Sequence, residues 1–198
     1  MQYPLNLTFK FFALSPQISV TDATDNFIFY VKQKSFRLKE VITVFHDQER
    51  QNPAFTIKAD RIIDFSARYN FARPDGEPIG SFKRRGLRSL WRAHYDIFGP
   101  DDPDTPIFTI REENPWVKVW DTLFSEIPIV GFFTGYVFNP VYLIQQPEQE
   151  PVFMRLEKIP AFLSRKFLIK QLDKADDQTQ SVMVLSFLMM LLLERSRG

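Results

Sequence analysis

Hydrophobic and polar residues alternate along most of the chain, which is the pattern of strands that bury one face of a sheet. The clearest run is 91–98, where Ala93, Tyr95 and Ile97 alternate with polar side chains. Further strands are predicted at 7–14, 27–32, 41–46, 55–60, 62–69, 79–84, 107–111, 152–157 and 166–172. Most of the chain is therefore predicted to be β-sheet.

Turn signals separate these strands. Pro74-Asp75-Gly76 is typical of a hairpin turn, and the polar run 99–104 predicts a loop between two strands. The stretch 127–147 carries no charge, but prolines and glycines interrupt it, so a transmembrane helix is disfavoured. We predict a buried β-hairpin there, with strands at 131–138 and 141–144.

The stretch 182–193, VMVLSFLMMLLL, has no polar face at helical spacing, and Ser186 is its only polar residue. Such a helix needs burial on every side. Its length of about 18 Å is too short for the ~30 Å core of a bilayer. Asp176 and Asp177 suit the start of this helix, because acidic side chains favour a helix N-terminus.

A second, short helix is predicted from Asn114 and Pro115 to a point before Pro128. Its Trp116 and Trp120 are expected to cap one end of the fold, in preference to inserting at a lipid interface. A dozen strands before an apolar helix predict a mainly β fold. We expect a closed antiparallel barrel of about twelve strands around a buried C-terminal hydrophobic helix, plus one short capping helix. No linker composition interrupts the chain, so residues 1–198 are expected to be one domain.

Composition agrees with this architecture and narrows the chemistry. Fourteen prolines against seven glycines favour many short extended segments, and aromatic residues make up 15% of the chain. The 25 basic and 24 acidic residues nearly cancel, so any electrostatic partner must meet a local patch. The absence of cysteine excludes disulfides, thiol nucleophiles and Cys-ligated metals. We expect no signal peptide.

Three blocks carry a resemblance to a known family: FIFYVKQK at 27–34, GSFKR at 80–84 and SLWRAHY at 89–95, followed by the hydrophobic C-terminal helix. The chain resembles the tubby C-terminal-like superfamily, especially its LURP-one-related branch and, more distantly, the phospholipid scramblases. The resemblance implies a twelve-stranded barrel around a central helix. It also implies a lipid-related role, because tubby proteins bind phosphoinositide headgroups through basic residues. The chain lacks a scramblase-type acidic calcium segment and palmitoylation cysteines.

The densest charge feature is a run of five cations within ten residues without an acid: Lys83, Arg84, Arg85, Arg88 and Arg92. Arginine offers a planar fork for phosphate oxygens, so this basic hairpin predicts binding of an anionic phospholipid headgroup or another phosphate ligand. A solvated hairpin is the alternative, and nucleic acid is less favoured because a broad stripe with stacking aromatics is missing. A second basic stretch contains Lys32, Lys34, Arg37 and Lys39.

No catalytic motif is complete. His94 with Asp96, or His46 with Asp47, suggests a general base, but no G-x-S-x-G, H-E-x-x-H or glycine-rich phosphate loop accompanies them. The acidic run at 101–104 lacks the spacing of a calcium loop. We expect a non-enzymatic module with no catalytic residue, metal or cofactor. A cytoplasmic place is expected, with an anionic membrane surface as a peripheral partner; a protein-interaction or structural domain without a small ligand is the alternative.

Overall fold

A computed structural model describes residues 1–10, 17–32, 41–61, 67–85, 94–113, 140–147, 151–161 and 164–195. The strands are β1 Leu5–Lys10, β2 Gln17–Thr21, β3 Phe27–Lys32, β4 Ile42–Phe45, β5 Pro53–Ala59, β6 Arg68–Ala72, β7 Pro78–Arg84, β8 His94–Phe98, β9 Pro106–Glu112, β10 Val141–Gln145, β11 Val152–Ile159 and β12 Ser164–Gln171. Helix α1 spans Asp177–Arg195.

The twelve strands form one closed antiparallel barrel. Each strand pairs with its neighbours in sequence, and β1 pairs with β12 to close the ring. Closure leaves no free sheet edge, which removes the unpaired backbone groups that promote aggregation. The predicted fold class, a closed antiparallel barrel with a buried C-terminal helix, is confirmed.

Period-two burial decides which side chains face the interior. Tyr95 and Ile97 are fully buried while His94 and Asp96 are partly exposed on the outer face, as the alternation predicted. The opposite wall follows the same rule, since Leu5 and Leu7 on β1 are fully buried. The inward faces of the strands therefore form one continuous apolar lining.

Helix α1 fills that lining. Every residue from 182 to 192 is buried, including Leu188 and Ser186, which are fully inaccessible to solvent. The Ser186 hydroxyl donates a 2.7 Å hydrogen bond to the carbonyl oxygen of Val182, one turn earlier, so the single polar group of the helix is satisfied in place. In the described part of the chain, none of the helical segments combines the length and the hydrophobicity that a membrane span requires.

The helix begins at a capping residue. Asp176 Oδ1 accepts a 2.9 Å hydrogen bond from the Thr179 backbone N–H, and Asp176 Oδ2 accepts one from the Thr179 hydroxyl. This is the N-cap arrangement, in which a side-chain oxygen satisfies an otherwise unpaired amide of the first turn. Asp177 adds a second negative charge in that turn, as predicted.

Two predicted turns are confirmed. The β6–β7 hairpin turns through Pro74-Asp75-Gly76, where Gly76 adopts a φ of +94° and donates a 3.0 Å hydrogen bond to the Arg73 carbonyl oxygen. Glycine suits that left-handed conformation because it lacks a Cβ. Between β8 and β9, Asp102 accepts hydrogen bonds from two backbone amides of the loop, which makes it an acidic turn residue.

Several strand predictions differ from the structure. The run predicted at 7–14 is β1, which begins two residues earlier and ends at Lys10. Of the strand predicted at 62–69, positions 62–66 lie outside the described residues, and β6 spans Arg68–Ala72. Strand β2 was not predicted. The strand predicted at 141–144 is confirmed as β10, whose two edges are paired with β9 and β11. Residues 131–138 and the predicted capping helix with Trp116 and Trp120 lie outside the described residues.

Candidate functional site

The basic run that begins in β7 is divided between the two faces of the barrel wall. Lys83 and Arg85 lie on the outer face, whereas Arg84 points inward and is only 7% exposed. Its guanidinium lies 5.9 Å from the centre of the Tyr95 ring, which stacks on Phe82. Arg84 therefore cannot share an outer-face ligand with Lys83, because the sheet separates them. Arg88 and Arg92, predicted for the same site, lie outside the described residues.

Neighbouring strands add two cations to Lys83 and Arg85. Arg68 on β6 is directly opposite Lys83, and Arg111 on β9 is directly opposite His94. Directly opposite side chains of an antiparallel pair share a face, with Cβ atoms about 5 Å apart. We call these four residues, Arg68, Lys83, Arg85 and Arg111, the outer basic patch. It lies at the end of the barrel where α1 finishes.

Arg68 is held in place by two contacts. Its guanidinium donates a 3.0 Å hydrogen bond to Ser81 Oγ and lies 4.2 Å from the centre of the Phe98 ring. A cation over an aromatic face is attracted by the negative charge of the ring face. The residue therefore presents a positioned charge at the edge of the patch, while covering a buried aromatic side chain.

One carboxylate, Asp96, lies within the outer basic patch. Arg85 Nε is 3.6 Å from Asp96 Oδ2, and Asp96 Oδ1 is buried and accepts no hydrogen bond from the described residues. Burial raises the pKa of Asp96 above its usual value, while Arg85, His94 and Lys83 act to lower it. Asp96 and, beside Arg68, Asp60 offset part of the charge of the four cations, so the patch stays positive.

His94 is oriented by a cation and not by a carboxylate. Its Nε2 lies 3.3 Å from the Arg85 guanidinium, which can only donate, so this contact favours the neutral ring in which Nε2 accepts. Burial lowers the pKa of His94, and Arg85 and Arg111 lower it further against the opposing effect of Asp96. The geometry does not match a general base held by an aspartate.

The second predicted pair, His46 and Asp47, is also divided between different hydrogen-bond partners. His46 Nδ1 lies 3.1 Å from the Ile28 carbonyl oxygen, whereas Asp47 accepts backbone hydrogen bonds from Gln51 and Asn52 in the following turn. Among the residues that the structure describes, no group of three His, Asp or Glu side chains is placed to hold a metal ion.

Sequence analysis does not single out Arg68 and Arg111, because each is an isolated cation in its strand, with Ala67 and Tyr69 beside Arg68 and Ile110 and Glu112 beside Arg111. A signal for Arg68 was present: the hairpin turn at 74–76 pairs β6 with β7 and brings position 68 opposite position 83. Arg111 could be found only from the β8–β9 register, which a bulge at Ile97 and Phe98 shifts. Lys32 ends β3, three strands away from β6, so it does not extend the patch.

Comparisons with known proteins agree with this architecture. The X-ray structure of a protein from Arabidopsis thaliana superposes with a TM-score of 0.50 at 14% identity, over 98% of this chain and 92% of that one, which is a likeness of fold. No curated protein matches the sequence significantly. The predicted relationship to the tubby-like fold is supported, and the more distant scramblase likeness stays a prediction. The family model described as LURP-one-related matches residues 27–125, half of the sequence, and the chain belongs to that family.

Proposed function

We propose that residues 1–198 form a single non-enzymatic barrel module that binds an anionic phospholipid headgroup, or another phosphate ligand, through the outer basic patch. Lys83 and Arg85 of the predicted basic hairpin are its centre. Arg88 and Arg92, which lie outside the described residues, stay predicted members of the site. Arg68 and Arg111 extend it across the wall. Arg84 supports the site from inside the barrel, where it lies near Tyr95.

The observation that carries this proposal is the pairing of like charges across β6 and β7. Arg68 and Lys83 are directly opposite each other, an arrangement that destabilises a sheet through repulsion. Asp60 interacts with both Arg61, at 3.1 Å, and Arg68. Asp96, which is directly opposite Lys83, is also paired with Arg85. Because each carboxylate is shared between two cations, the repulsion is offset only in part. A phosphate group bridging Arg68 and Lys83 would remove the repulsion, and the arginine fork suits its oxygens.

Sedimentation with vesicles tests the proposal. Phosphatidylcholine vesicles containing phosphatidylserine or a phosphoinositide should bind the protein at low salt and release it as salt is raised, because exposed charges are screened. Vesicles of phosphatidylcholine alone should not bind. Lys83→Glu/Arg85→Glu should weaken binding about tenfold or more, which is the effect expected when two contacts to phosphate become repulsive.

The matched control changes the same charge on the opposite wall. Lys10 and Lys166 are exposed on β1 and β12 at the same end of the barrel, so Lys10→Glu/Lys166→Glu alters the net charge equally. This variant should bind like the unaltered protein. Equal losses of vesicle binding in the two double variants would show that overall charge, and not the outer basic patch, controls binding. No binding to any anionic vesicle would favour the protein-interaction or structural alternative.

If the proposal holds, the protein works at a membrane surface as a peripheral component from the cytoplasmic side. Soluble inositol phosphates distinguish a headgroup site from a surface effect. Competition by inositol trisphosphate against phosphoinositide vesicles supports a defined phosphate site, whereas competition by salt alone indicates diffuse attraction.

A further inference from the structure

His94 lies between two cations of the outer basic patch. It occupies the outer face of β8, with Arg85 on one side and Arg111 of β9 on the other. The Arg85 backbone N–H donates a 3.0 Å hydrogen bond to the His94 carbonyl oxygen, which aligns the two residues across adjacent chain segments. Arg111 is directly opposite His94 in the β8–β9 pair. The imidazole ring therefore has a cation on each side.

The other charged groups around this ring come from three strands. On β8 itself, Asp96 lies on the same face, with its carboxylate 3.6 Å from Arg85. On β7, Lys83 is directly opposite Asp96. On β9, the Glu113 carboxylate is ion-paired with Arg155 at 3.1 Å. In the described part of the chain, both carboxylates near the ring are thus shared with arginines, and the cations dominate.

This arrangement favours the neutral form of the ring. His94 Nε2 lies 3.3 Å from an Arg85 guanidinium nitrogen and can accept from it only while the ring is neutral. Protonation would remove that contact and would place a new positive charge beside two existing ones. In agreement, burial lowers the pKa of His94, and Arg85 and Arg111 lower it further against the opposing effect of Asp96.

An anion bound in the patch changes this balance. Its negative charge offsets the arginines that oppose protonation, so the charged ring becomes easier to form. The coupling is reciprocal: a ligand that favours the protonated ring is bound more tightly by the protonated ring, by the same factor. An anionic membrane also concentrates protons at its surface, about threefold at a surface potential of about −30 mV. Protonation and binding therefore reinforce each other.

We propose that His94 makes phosphate binding at the outer basic patch depend on pH, so that the protein binds anionic membranes more tightly in mildly acidic solution. This inference rests on the function proposed above and adds the regulation of the same site. His94 acts through its charge beside Arg85 and Arg111. In the bound state the ring takes up its proton at a higher pH than in the free protein.

Vesicle sedimentation at constant ionic strength, at about pH 7.5 and about pH 5.5, tests the proposal. Phosphatidylcholine vesicles containing phosphatidylglycerol are suitable, because a phosphodiester keeps its charge over this range whereas a phosphomonoester titrates near pH 6. Affinity should rise about three- to tenfold at the lower pH, the effect of one charge added close to the ligand near a protein surface. Salt-sensitive binding of equal strength at both pH values would overturn the proposal and leave the proposed lipid binding intact.

Variants assign the effect to one ring. His94→Gln should bind like the unaltered protein at the higher pH and gain less than about twofold at the lower, because glutamine can accept from Arg85 but does not titrate. His94→Lys should bind tightly at both, since its charge is permanent. His46→Gln is the matched control: it changes the other histidine of the chain, in the β4–β5 turn at the opposite end of the barrel, and should keep the full rise because exposed charges so far apart are screened.

Asp96 is a second group whose protonation makes the patch more positive, because burial raises the pKa of its carboxyl. Asp96→Asn separates the two groups and should still gain affinity as the solution is acidified. A rise that persists in His94→Gln and disappears in Asp96→Asn would overturn the assignment to His94. Absence of vesicle binding at either pH would instead overturn the proposed lipid binding, together with the regulation that depends on it.

Discussion

Gly80 on β7 lies directly against Val182 of α1, with no room for a side chain between them. A Cβ placed on Gly80 would come within 3.2 Å of Val182 Cγ1 and within 2.7 Å of the Phe98 carbonyl oxygen. The residue also has a φ of +154°, which L-residues with a side chain rarely adopt. At this contact the barrel wall packs directly against the helix.

Gly80→Ala is therefore expected to lower the free energy of unfolding by about 2–4 kcal/mol, through overpacking together with backbone strain. Gly76→Ala is the matched control, because Gly76 has a positive φ but nothing within 4 Å of an added Cβ. That variant should lose only about 1 kcal/mol, the cost of a left-handed conformation. Urea denaturation measures both, and equal losses would contradict the packing argument.

Burial of the helix predicts a large effect for one side chain within it. Leu188 is fully buried, so Leu188→Ala should reduce stability by about 2–5 kcal/mol through lost hydrophobic transfer and a residual cavity. Leu172, which is 55% exposed after β12, is the comparison: Leu172→Ala should change stability by less than about 0.5 kcal/mol. Similar small effects at both positions would show that α1 does not form the core.

The N-cap residue of α1, Asp176, is expected to make a pH-dependent contribution to the free energy of unfolding. Hydrogen bonds from the Thr179 side chain and backbone lower the pKa of Asp176. A lowered carboxyl pKa stabilises the folded state above the unfolded value of about 3.9 and loses that effect as pH falls through the folded value. Asp176→Ala should cost about 0.5–2 kcal/mol at pH 7.

Asp176→Asn separates capping from charge. Asparagine caps helices about as well as aspartate, so stability at pH 7 should stay close to that of the unaltered protein. Its stability should fall less between pH 4 and pH 2, since position 176 no longer titrates. A loss at pH 7 as large as that of Asp176→Ala would show that the charge, and not the cap, stabilises the helix.

For Asp96, in the outer basic patch, stability is expected to depend on pH in the opposite direction. Burial raises the pKa of this carboxyl, so the folded state holds the proton more tightly than the unfolded state. Its contribution to stability is complete at low pH and declines as pH rises from about 3.9 through the folded value. Asp96→Asn should therefore be more stable relative to the unaltered protein at pH 7 than at pH 3, and should bind anionic vesicles more tightly.

His94 is expected to make the stability of the protein depend on pH in a less acidic range than the two carboxyl groups do. Because burial and Arg85 lower its pKa, stability should decline as pH falls from about 6.5, the unfolded value, through the folded value. His94→Gln removes this titration and should flatten the stability profile between pH 7 and pH 5. A profile unaffected by His94→Gln would contradict the assignment.

Some parts of the site were readable from local pattern and others were not. Alternation in 94–98 correctly separated buried Tyr95 from outer His94 and Asp96, because each strand residue points opposite to its neighbour. The same rule places Arg84 inside the barrel, whereas the sequence analysis treats the five cations between 83 and 92 as one surface site. The role of Arg68 in the outer basic patch depends on its partner Lys83 on the adjacent strand.

The sequence alone determined the strand composition of the wall, the turn at Pro74-Asp75-Gly76 and the burial of the apolar helix, because period, turn chemistry and hydrophobicity are local properties. The tertiary structure decided where charge converges. The strand register of the closed barrel brings Arg68 opposite Lys83 and Arg111 opposite His94. These relationships depend on register, which is set by packing between distant segments.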